Sequence, residues 1–177
     1  QPQLGGRLQF LDRVGGGRER SAAHHGTVIG EQHRVVPAGD GADRADVIEV
    51  PVGVSNVRVR ILRMDVGRTR VFLLDADLPE NAPEDRQLTE GLYKGEPLLR
   101  MRQQVLLGVG GILALGKLKE KATVFHLNEG HAAFAGLKRL SQLVTRGMSL
   151  DEAVQRVRQT TVFTTHTPVP AGHDRYD

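Results

Sequence analysis

Two short polar segments of this sequence carry the residue types that bind small polar ligands. The first polar segment is Asn128-Glu129-Gly130-His131, and the second polar segment is His166-Thr167. Amide, hydroxyl and imidazole groups donate and accept hydrogen bonds, and an ionised carboxylate accepts them, so both segments suit a ligand that offers hydroxyls. The glycine frees the backbone to turn, which lets the first amides of a following helix face the same ligand.

Each polar segment directly follows a short apolar run that is typical of a buried strand. Residues 123–127 precede the first segment and residues 161–165 precede the second, with helices predicted over 132–144 and 149–159. Strand, helices and strand over about 40 residues form a crossover unit, which is right-handed by default and makes the two strands parallel neighbours. Ligands of such sheets bind beyond the carboxyl ends of the strands, so we expect the two polar segments side by side. The predicted fold class is α/β.

Two other interpretations of these residues compete with ligand binding. Asn128 ahead of a helix is also typical of a plain N-cap, whose side chain accepts a hydrogen bond from a first-turn amide. On spacing alone, that interpretation stays open. Four histidines suggest a metal site, but the sequence lacks His-Glu-x-x-His or a similar ligand spacing, so we predict no metal. The four are His126, His131, His166 and His173.

Glycines inside the longest predicted helix offer a third candidate site. Gly108, Gly110 and Gly111 resemble half of a dinucleotide-binding fingerprint, but they lie within the helix predicted over 98–118 instead of between a strand and a helix. Apolar residues of that helix recur at three- and four-residue spacings and make one apolar face. We therefore assign the glycines to close helix packing.

The segment before that helix has the pattern of an antiparallel meander followed by a short helix. The strands are expected over 47–54, 57–62 and 70–74, and the helix over 84–93. Residues 1–45 hold 9 of the 21 glycines and show no regular apolar spacing. We therefore predict an irregular or disordered lead-in over 1–45 and a folded part over 46–177.

Composition excludes several classes of function. The chain has 177 residues, of which 39% are hydrophobic, so a packed core is expected. It has no cysteine, which excludes disulfides, thiolate metal ligands and a cysteine nucleophile. Its net charge is only +3 and aromatic residues make up 4%, so we expect no nucleic-acid partner. No apolar run approaches the ~20 residues of a membrane helix and no signal pattern opens the chain, so we expect no membrane partner and a cytoplasmic location.

Four regions in chain order resemble motifs of the α-glucan phosphorylases, the glycogen phosphorylase family, and most closely its bacterial branch. They are 73–81 with 83–86 (Leu-Leu-Asp-Ala-Asp-Leu-Pro-Glu-Asn and Pro-Glu-Asp-Arg), 100–104 (Arg-Met-Arg-Gln-Gln), 125–134 (Phe-His-Leu-Asn-Glu-Gly-His-Ala-Ala-Phe) and 163–174 (Phe-Thr-Thr-His-Thr-Pro-Val-Pro-Ala-Gly-His-Asp). The resemblance covers roughly residues 46–177 and contributes nothing to 1–45. Gln104 departs from the family, which usually has a glutamate there.

The resemblance implies a two-lobed glycosyltransferase of the GT-B type, of which this chain matches part of the N-terminal Rossmann-like lobe. Members of the family use inorganic phosphate to cleave terminal α-1,4-glucosyl units and release glucose 1-phosphate with retention. The implied cofactor is pyridoxal phosphate, held by a lysine of the C-terminal lobe. None of the five lysines of this sequence matches that lysine, so the chain alone is expected to be inactive.

The same resemblance implies the site residues. His166 matches the turn that borders the glucose subsite and is the expected catalytic residue. The implied substrate-binding residues are Asn128, Glu129, Gly130, His131, His166 and Thr167. An α-1,4-glucan and inorganic phosphate are the implied partners, and a homo-oligomer is an open expectation for the full-length form. Two alternatives stay open: a glucan synthase of the same architecture that uses a nucleotide sugar, and a non-catalytic glucan-binding remnant.

Overall fold

The computed structural model describes residues 8–12, 35–38, 46–91 and 96–165. The chain divides into two compact units. The first comprises Gln1–Glu49 and Val57–Leu92, and the second comprises Val50–Asn56 and Tyr93–Asp177. Helices, a mostly antiparallel sheet and a separate parallel sheet are all present, which confirms the predicted α/β class.

Within the described residues, the larger sheet has five strands, numbered in chain order. They are β1 (Leu8–Asp12), β2 (Val35–Pro37), β3 (Val47–Val52), β4 (Ser55–Val66) and β5 (Thr69–Asp75). β4 pairs antiparallel with both β5 and β2, β3 also pairs with β4, and β1 pairs parallel with β5. The predicted meander is therefore confirmed as β3, β4 and β5.

Two of these strands lie where the sequence pattern predicts an irregular lead-in. In β1, Leu8 is in register with Arg70, and in β2, Val36 is in register with Arg63. The prediction of an irregular segment is therefore wrong for residues 8–12 and 35–37. Strand pairing uses backbone N–H and C=O groups, so a strand can join a sheet without the alternating side chains that a sequence pattern requires. The boundary near residue 46 stays a prediction.

The alternation predicted for β4 matches its burial. Val57, Val59 and Ile61 are fully buried, whereas Arg58 and Arg60 between them are half-buried. A strand with one buried face shows this two-residue period, because successive side chains point to opposite faces of the sheet. In β5, by contrast, all residues from 71 to 75 are buried.

The short helix after the sheet is shorter than the pattern over 84–93 predicts. It consists of α1 (Pro83–Arg86) and a 3-10 helix, Gln87–Thr89. Proline suits the first position of a helix, since the amide it lacks has no partner there. The hydroxyl of buried Thr89 accepts a hydrogen bond from the backbone N–H of Ala76 at 3.0 Å. This contact holds the end of the short helix against the sheet, which a local pattern cannot reveal. Residues 92 and 93 lie outside the described residues.

The second unit contains a helix pair and the predicted crossover. Its elements are α2 (Pro97–Lys117), β6 (Phe125–Asn128), a 3-10 helix (Gly130–Ala132), α3 (Phe134–Thr145), α4 (Leu150–Gln159) and β7 (Thr161–Thr164). β6 and β7 are parallel neighbours, which confirms the predicted pairing. At the start of α4, Ser149 and Glu152 form a reciprocal capping box, in which each side chain bonds the other residue's backbone N–H.

By length and composition alone, α2 is long and apolar enough to cross a bilayer. The prediction that no such segment exists is therefore wrong. The helix packs against α3 and has eight buried residues, among them Leu106 and Ala114. The core helix of a globular protein passes the same length and composition test, and burial of this extent is typical of such a helix. Close packing at Gly108 confirms the role predicted for this glycine.

The strands β6 and β7 are less buried than the apolar runs predict. Val162 is 51% exposed and Phe163 is 55% exposed, so the prediction of a buried strand is wrong for β7. The physical reason is the size of the sheet. Within the described residues, β6 and β7 have no third strand beside them. In a sheet of only two strands, each strand has one unpaired edge, and the faces are too narrow to be fully buried.

Candidate functional site

The ends of β6 and β7 lie side by side, as predicted for the strands that carry the two polar segments. Asn128 is in register with Thr164, and the backbone N–H of Glu129 donates to the carbonyl oxygen of Thr164 at 2.8 Å. The structure thus places the first polar segment beside the end of β7. His166 and Thr167 of the second polar segment lie outside the described residues, so their placement stays a prediction.

Glu129 has an unusual backbone at this strand end. Its φ is +58° and its ψ is −169°, a region that glycine adopts and other residues rarely do. The residue is only 7% exposed although it carries a carboxyl group. A conformation of this kind costs of order 1–3 kcal/mol and concentrates at ligand sites, where the surrounding structure holds it in place. This backbone strain is a structural observation in favour of a site here that the sequence does not show.

Asn128 is not the N-cap of the following helices. The 3-10 helix has Glu129 as its N-cap, and α3 has Ala133 as its N-cap, in both cases without a side-chain capping hydrogen bond. The N-cap position of each helix is therefore occupied by a residue other than Asn128. Asn128 is exposed at the end of β6, and His131 is half-buried in the 3-10 helix. An exposed amide and an imidazole within four residues offer both donors and acceptors to a polar ligand.

A side-chain contact joins the two strand ends as well. Nε2 of His126 lies 2.6 Å from Oγ1 of Thr164. The sequence pattern suggests His126 only as a metal ligand and does not indicate this contact. Because His126 is in register with Val162, Thr164 is its diagonal neighbour two residues along β7, on the same face of the sheet. The predicted parallel pairing was the one signal that pointed to it.

The opposite ends of the same strands are held by Arg139 of α3. Its guanidinium carbon lies 3.7 Å from the centre of the Phe125 ring, and Nη1 donates to Oγ1 of Thr161 at 2.7 Å. Nη2 donates to Oγ1 of Thr160. Burial lowers the pKa of Arg139 from its ordinary value, because the charged form loses hydration. The sequence pattern does not indicate this role of Arg139, since a basic residue on an amphipathic helix is usually solvated.

Several curated proteins with related sequences are named as phosphorylases. The maltodextrin phosphorylase of Thermococcus litoralis is 46% identical over 130 residues, which make up 73% of this chain. The glycogen phosphorylase of Mycobacterium tuberculosis is 47% identical over 137 residues, again 73% of this chain. The glycogen phosphorylase of Aquifex aeolicus is 37% identical over 116 residues, or 66% of this chain. The chain contains a segment of an α-glucan phosphorylase.

This phosphorylase segment is short compared with its relatives. The matched part spans 16% of the Thermococcus and Mycobacterium proteins and 17% of the Aquifex protein. No family model matches the chain. The activity of a whole phosphorylase therefore remains a proposal for the protein to which this segment belongs.

An open groove of about 750 Å³ lies between α3 and α4 of the phosphorylase segment. Its lining mixes both signs of charge with apolar side chains: Leu143, Arg146, Gly147, Met148, Asp151, Glu152, Gln155, Arg156 and Gln159. None of the predicted site residues that the structure describes, Asn128, Glu129, Gly130 and His131, lines it. The groove is therefore separate from the first polar segment.

The described residues do not fit a covalent pyridoxal phosphate site. Such a site needs a lysine that is shielded from water, because its amine must lose a proton to attack a carbonyl. Lys117, Lys119 and Lys121 are exposed and Lys138 is half-buried. In the described part of the phosphorylase segment, no group of three or more His, Asp or Glu residues is placed to hold a metal ion.

Proposed function

We propose that this chain is part of an enzyme that cleaves terminal α-1,4-glucosyl units with inorganic phosphate and releases glucose 1-phosphate. One observation carries the proposal, namely the 46–47% identity over 73% of the chain to proteins named maltodextrin or glycogen phosphorylase. The segment would belong to the N-terminal Rossmann-like lobe of a GT-B glycosyltransferase. The proposed location of the enzyme is the cytoplasm.

The first polar segment is the proposed part of the glucose subsite within the described residues. A sugar presents hydroxyl groups and no charge, so its binding needs donors and acceptors that are held in place. Asn128 offers both from an exposed position, and His131 offers its imidazole from the 3-10 helix. Glu129 offers a carboxylate that accepts from a hydroxyl. In the second polar segment, His166 is the proposed catalytic residue and Thr167 a proposed substrate contact, both from the sequence resemblance.

Cofactor chemistry is assigned to another part of the longer protein. Pyridoxal phosphate supplies a phosphate group to this reaction in the family, and the described residues do not fit its covalent attachment. The role left to this chain is to bind and orient the terminal glucosyl unit. The 177-residue chain alone should therefore bind glucan without turning it over.

The deciding test is an activity assay on the longer protein that carries this segment. It is incubated with maltoheptaose and inorganic phosphate, and glucose 1-phosphate is measured. We expect release that depends on phosphate. Chain elongation from a nucleotide sugar, without phosphate-dependent release, would identify a glucan synthase instead. Binding of maltoheptaose by the cofactor-loaded protein without either reaction would identify a non-catalytic glucan-binding protein.

A further inference from the structure

Arg139 connects both strands of the crossover to the helix above them. Its guanidinium lies against the ring of Phe125, the first residue of β6, and donates to the hydroxyl of Thr161, the first residue of β7. Phe125 and Thr161 are register partners. A single side chain of α3 therefore contacts the two residues that set how β6 and β7 begin.

The hydroxyls that accept from Arg139 are themselves oriented by α4. Thr160 Oγ1 donates to the carbonyl oxygen of Arg156 at 2.7 Å, and Thr161 Oγ1 donates to that of Val157 at 2.7 Å. Each hydroxyl has one hydrogen to donate, so its oxygen is left to accept from the guanidinium. Arg139 thus reaches the last turn of α4 through two hydroxyls. This arrangement needs the planar, forked guanidinium, because a lysine ammonium is a single point charge.

The contacts of Arg139 lie at one end of the strand pair and the first polar segment lies at the other. From Phe125 to Asn128 the chain advances three residues, about 10 Å along a strand. Over that distance the register set at Phe125 and Thr161 places Asn128 opposite Thr164. A slip of one residue would turn each side chain of β7 to the other face. It would also break the hydrogen bond from the Glu129 N–H to Thr164.

We propose that Arg139 is a positioning residue, which keeps β7 in register with β6 and so places the strand ends that form the proposed glucan subsite. The identity of the ligand rests on the proposed function. The register does not, since it can be measured on the protein without a ligand.

Amide hydrogen exchange of the 177-residue chain, followed by NMR, tests the inference. The amide of Glu129 reports the strand ends, and the amide of Leu106 in α2 reports opening of the whole unit. In Arg139→Met we expect exchange at Glu129 to accelerate about tenfold or more relative to Leu106. Arg139→Lys should show most of the same effect. A lysine ammonium keeps the positive charge but lacks the planar fork of the guanidinium, so it does not restore the hydrogen bonds to both hydroxyls. Arg158→Met, which removes an exposed arginine of α4, is the matched control and should change neither amide.

Equal acceleration at Glu129 and Leu106 would show that Arg139 only stabilises the unit, and unchanged exchange at Glu129 would show that it does not set the register. Either result overturns the inference. If Arg139→Met does not fold, Thr161→Val removes one acceptor while keeping the side-chain shape, and the same comparison applies.

Calorimetry with maltoheptaose on the same proteins separates this inference from the proposed function. If the unmutated chain binds maltoheptaose, Arg139→Met should bind it about tenfold more weakly, in line with the exchange at Glu129. Unchanged affinity in Arg139→Met would overturn the positioning role. If the unmutated chain does not bind maltoheptaose, the proposed ligand of this chain is wrong, and the exchange data still decide whether Arg139 sets the register.

Discussion

Gly108 of α2 lies against the backbone of Ala135 in α3. A Cβ built on Gly108 would approach the Ala135 nitrogen to 2.7 Å and Cβ of Phe134 to 2.9 Å. Backbone atoms cannot move aside as the end of a flexible side chain can. The close approach of the two helices therefore depends on a glycine at this position.

Gly108→Ala should lower the free energy of unfolding by about 1–3 kcal/mol, because the added methyl group forces α2 and α3 apart. Gly116→Ala is the matched control in the same helix, since a Cβ built there meets nothing within 4 Å. It should raise stability by about 0.5–1 kcal/mol, as alanine is the better helix former. Urea denaturation of both variants measures the difference. A neutral Gly108→Ala would contradict the close approach.

The positive φ of Glu129 predicts an unusual preference for glycine. Glu129→Gly should be more stable than Glu129→Ala by about 1–2 kcal/mol, because alanine keeps the cost of φ +58° and glycine does not. Both variants should lose affinity for maltoheptaose. Lys119, with φ +54°, is the matched position outside the site. Lys119→Gly should also be more stable than Lys119→Ala, with unchanged glucan affinity in both. Equal stability of the two Glu129 variants, by thermal unfolding, would exclude the strain.

Asn81 links three backbone groups in the first unit. Its Oδ1 accepts from the N–H of Arg58 at 2.9 Å, and its Nδ2 donates to the carbonyl oxygens of Arg58 and Ala76, each at 2.7 Å. Asn81→Ala should lower the free energy of unfolding by about 1–3 kcal/mol, because it leaves buried and partly buried backbone groups without their partner. Glu80→Ala removes a neighbouring exposed ion pair with Arg58 and should change stability by less than about 1 kcal/mol. Chemical denaturation of the two variants provides the comparison.

The capping box of α4 makes stability depend on pH. Hydrogen bonds from the side chain and the backbone N–H of Ser149 hold the pKa of Glu152 below its ordinary value of 4.5. The unfolded chain thus binds this proton more tightly than the folded one. The contribution of Glu152 is present above pH 4.5 and is lost as the pH falls through the lower folded-state pKa. An NMR titration of its carboxyl carbon should show the pKa rise in Ser149→Ala. An unchanged pKa would show that the Ser149 hydroxyl is not the cause.

His166→Ala tests the proposed catalytic residue in the longer protein. A site built to hydrogen-bond sugar hydroxyls loses about 1–3 kcal/mol when one buried partner goes unpaired. We expect phosphorolysis to fall about tenfold or more, with an unchanged melting temperature. If His166 is instead a packed core residue, the variant should have a lower melting temperature, and its folded fraction should have near-normal specific activity. Normal activity at unchanged stability would contradict both roles.

The sequence alone determined the elements whose causes are local. Ser149 and Glu152 lie three residues apart, and their capping box marks the start of α4. Apolar residues at helical spacing predicted a helix over 98–118, and α2 spans Pro97–Lys117. The crossover pattern also predicted the parallel pairing of β6 and β7, because connections of this length allow few other arrangements. In each case the interacting residues are close in the chain or follow a general rule of connection.

Only the tertiary structure decided the features that join distant residues. The strands β1 and β2 form through backbone hydrogen bonds to β5 and β4. Backbone hydrogen bonds do not require a regular spacing of apolar side chains, so the sequence pattern does not predict these strands. From the sequence, Arg139 has the pattern of a solvated helix residue. Only the fold brings it into contact with Thr161, which follows 22 residues later in the chain. The backbone of Glu129 takes a conformation that its residue type disfavours, which only surrounding contacts can impose. A sequence pattern records what each residue prefers, whereas such features follow from which residues the fold brings together.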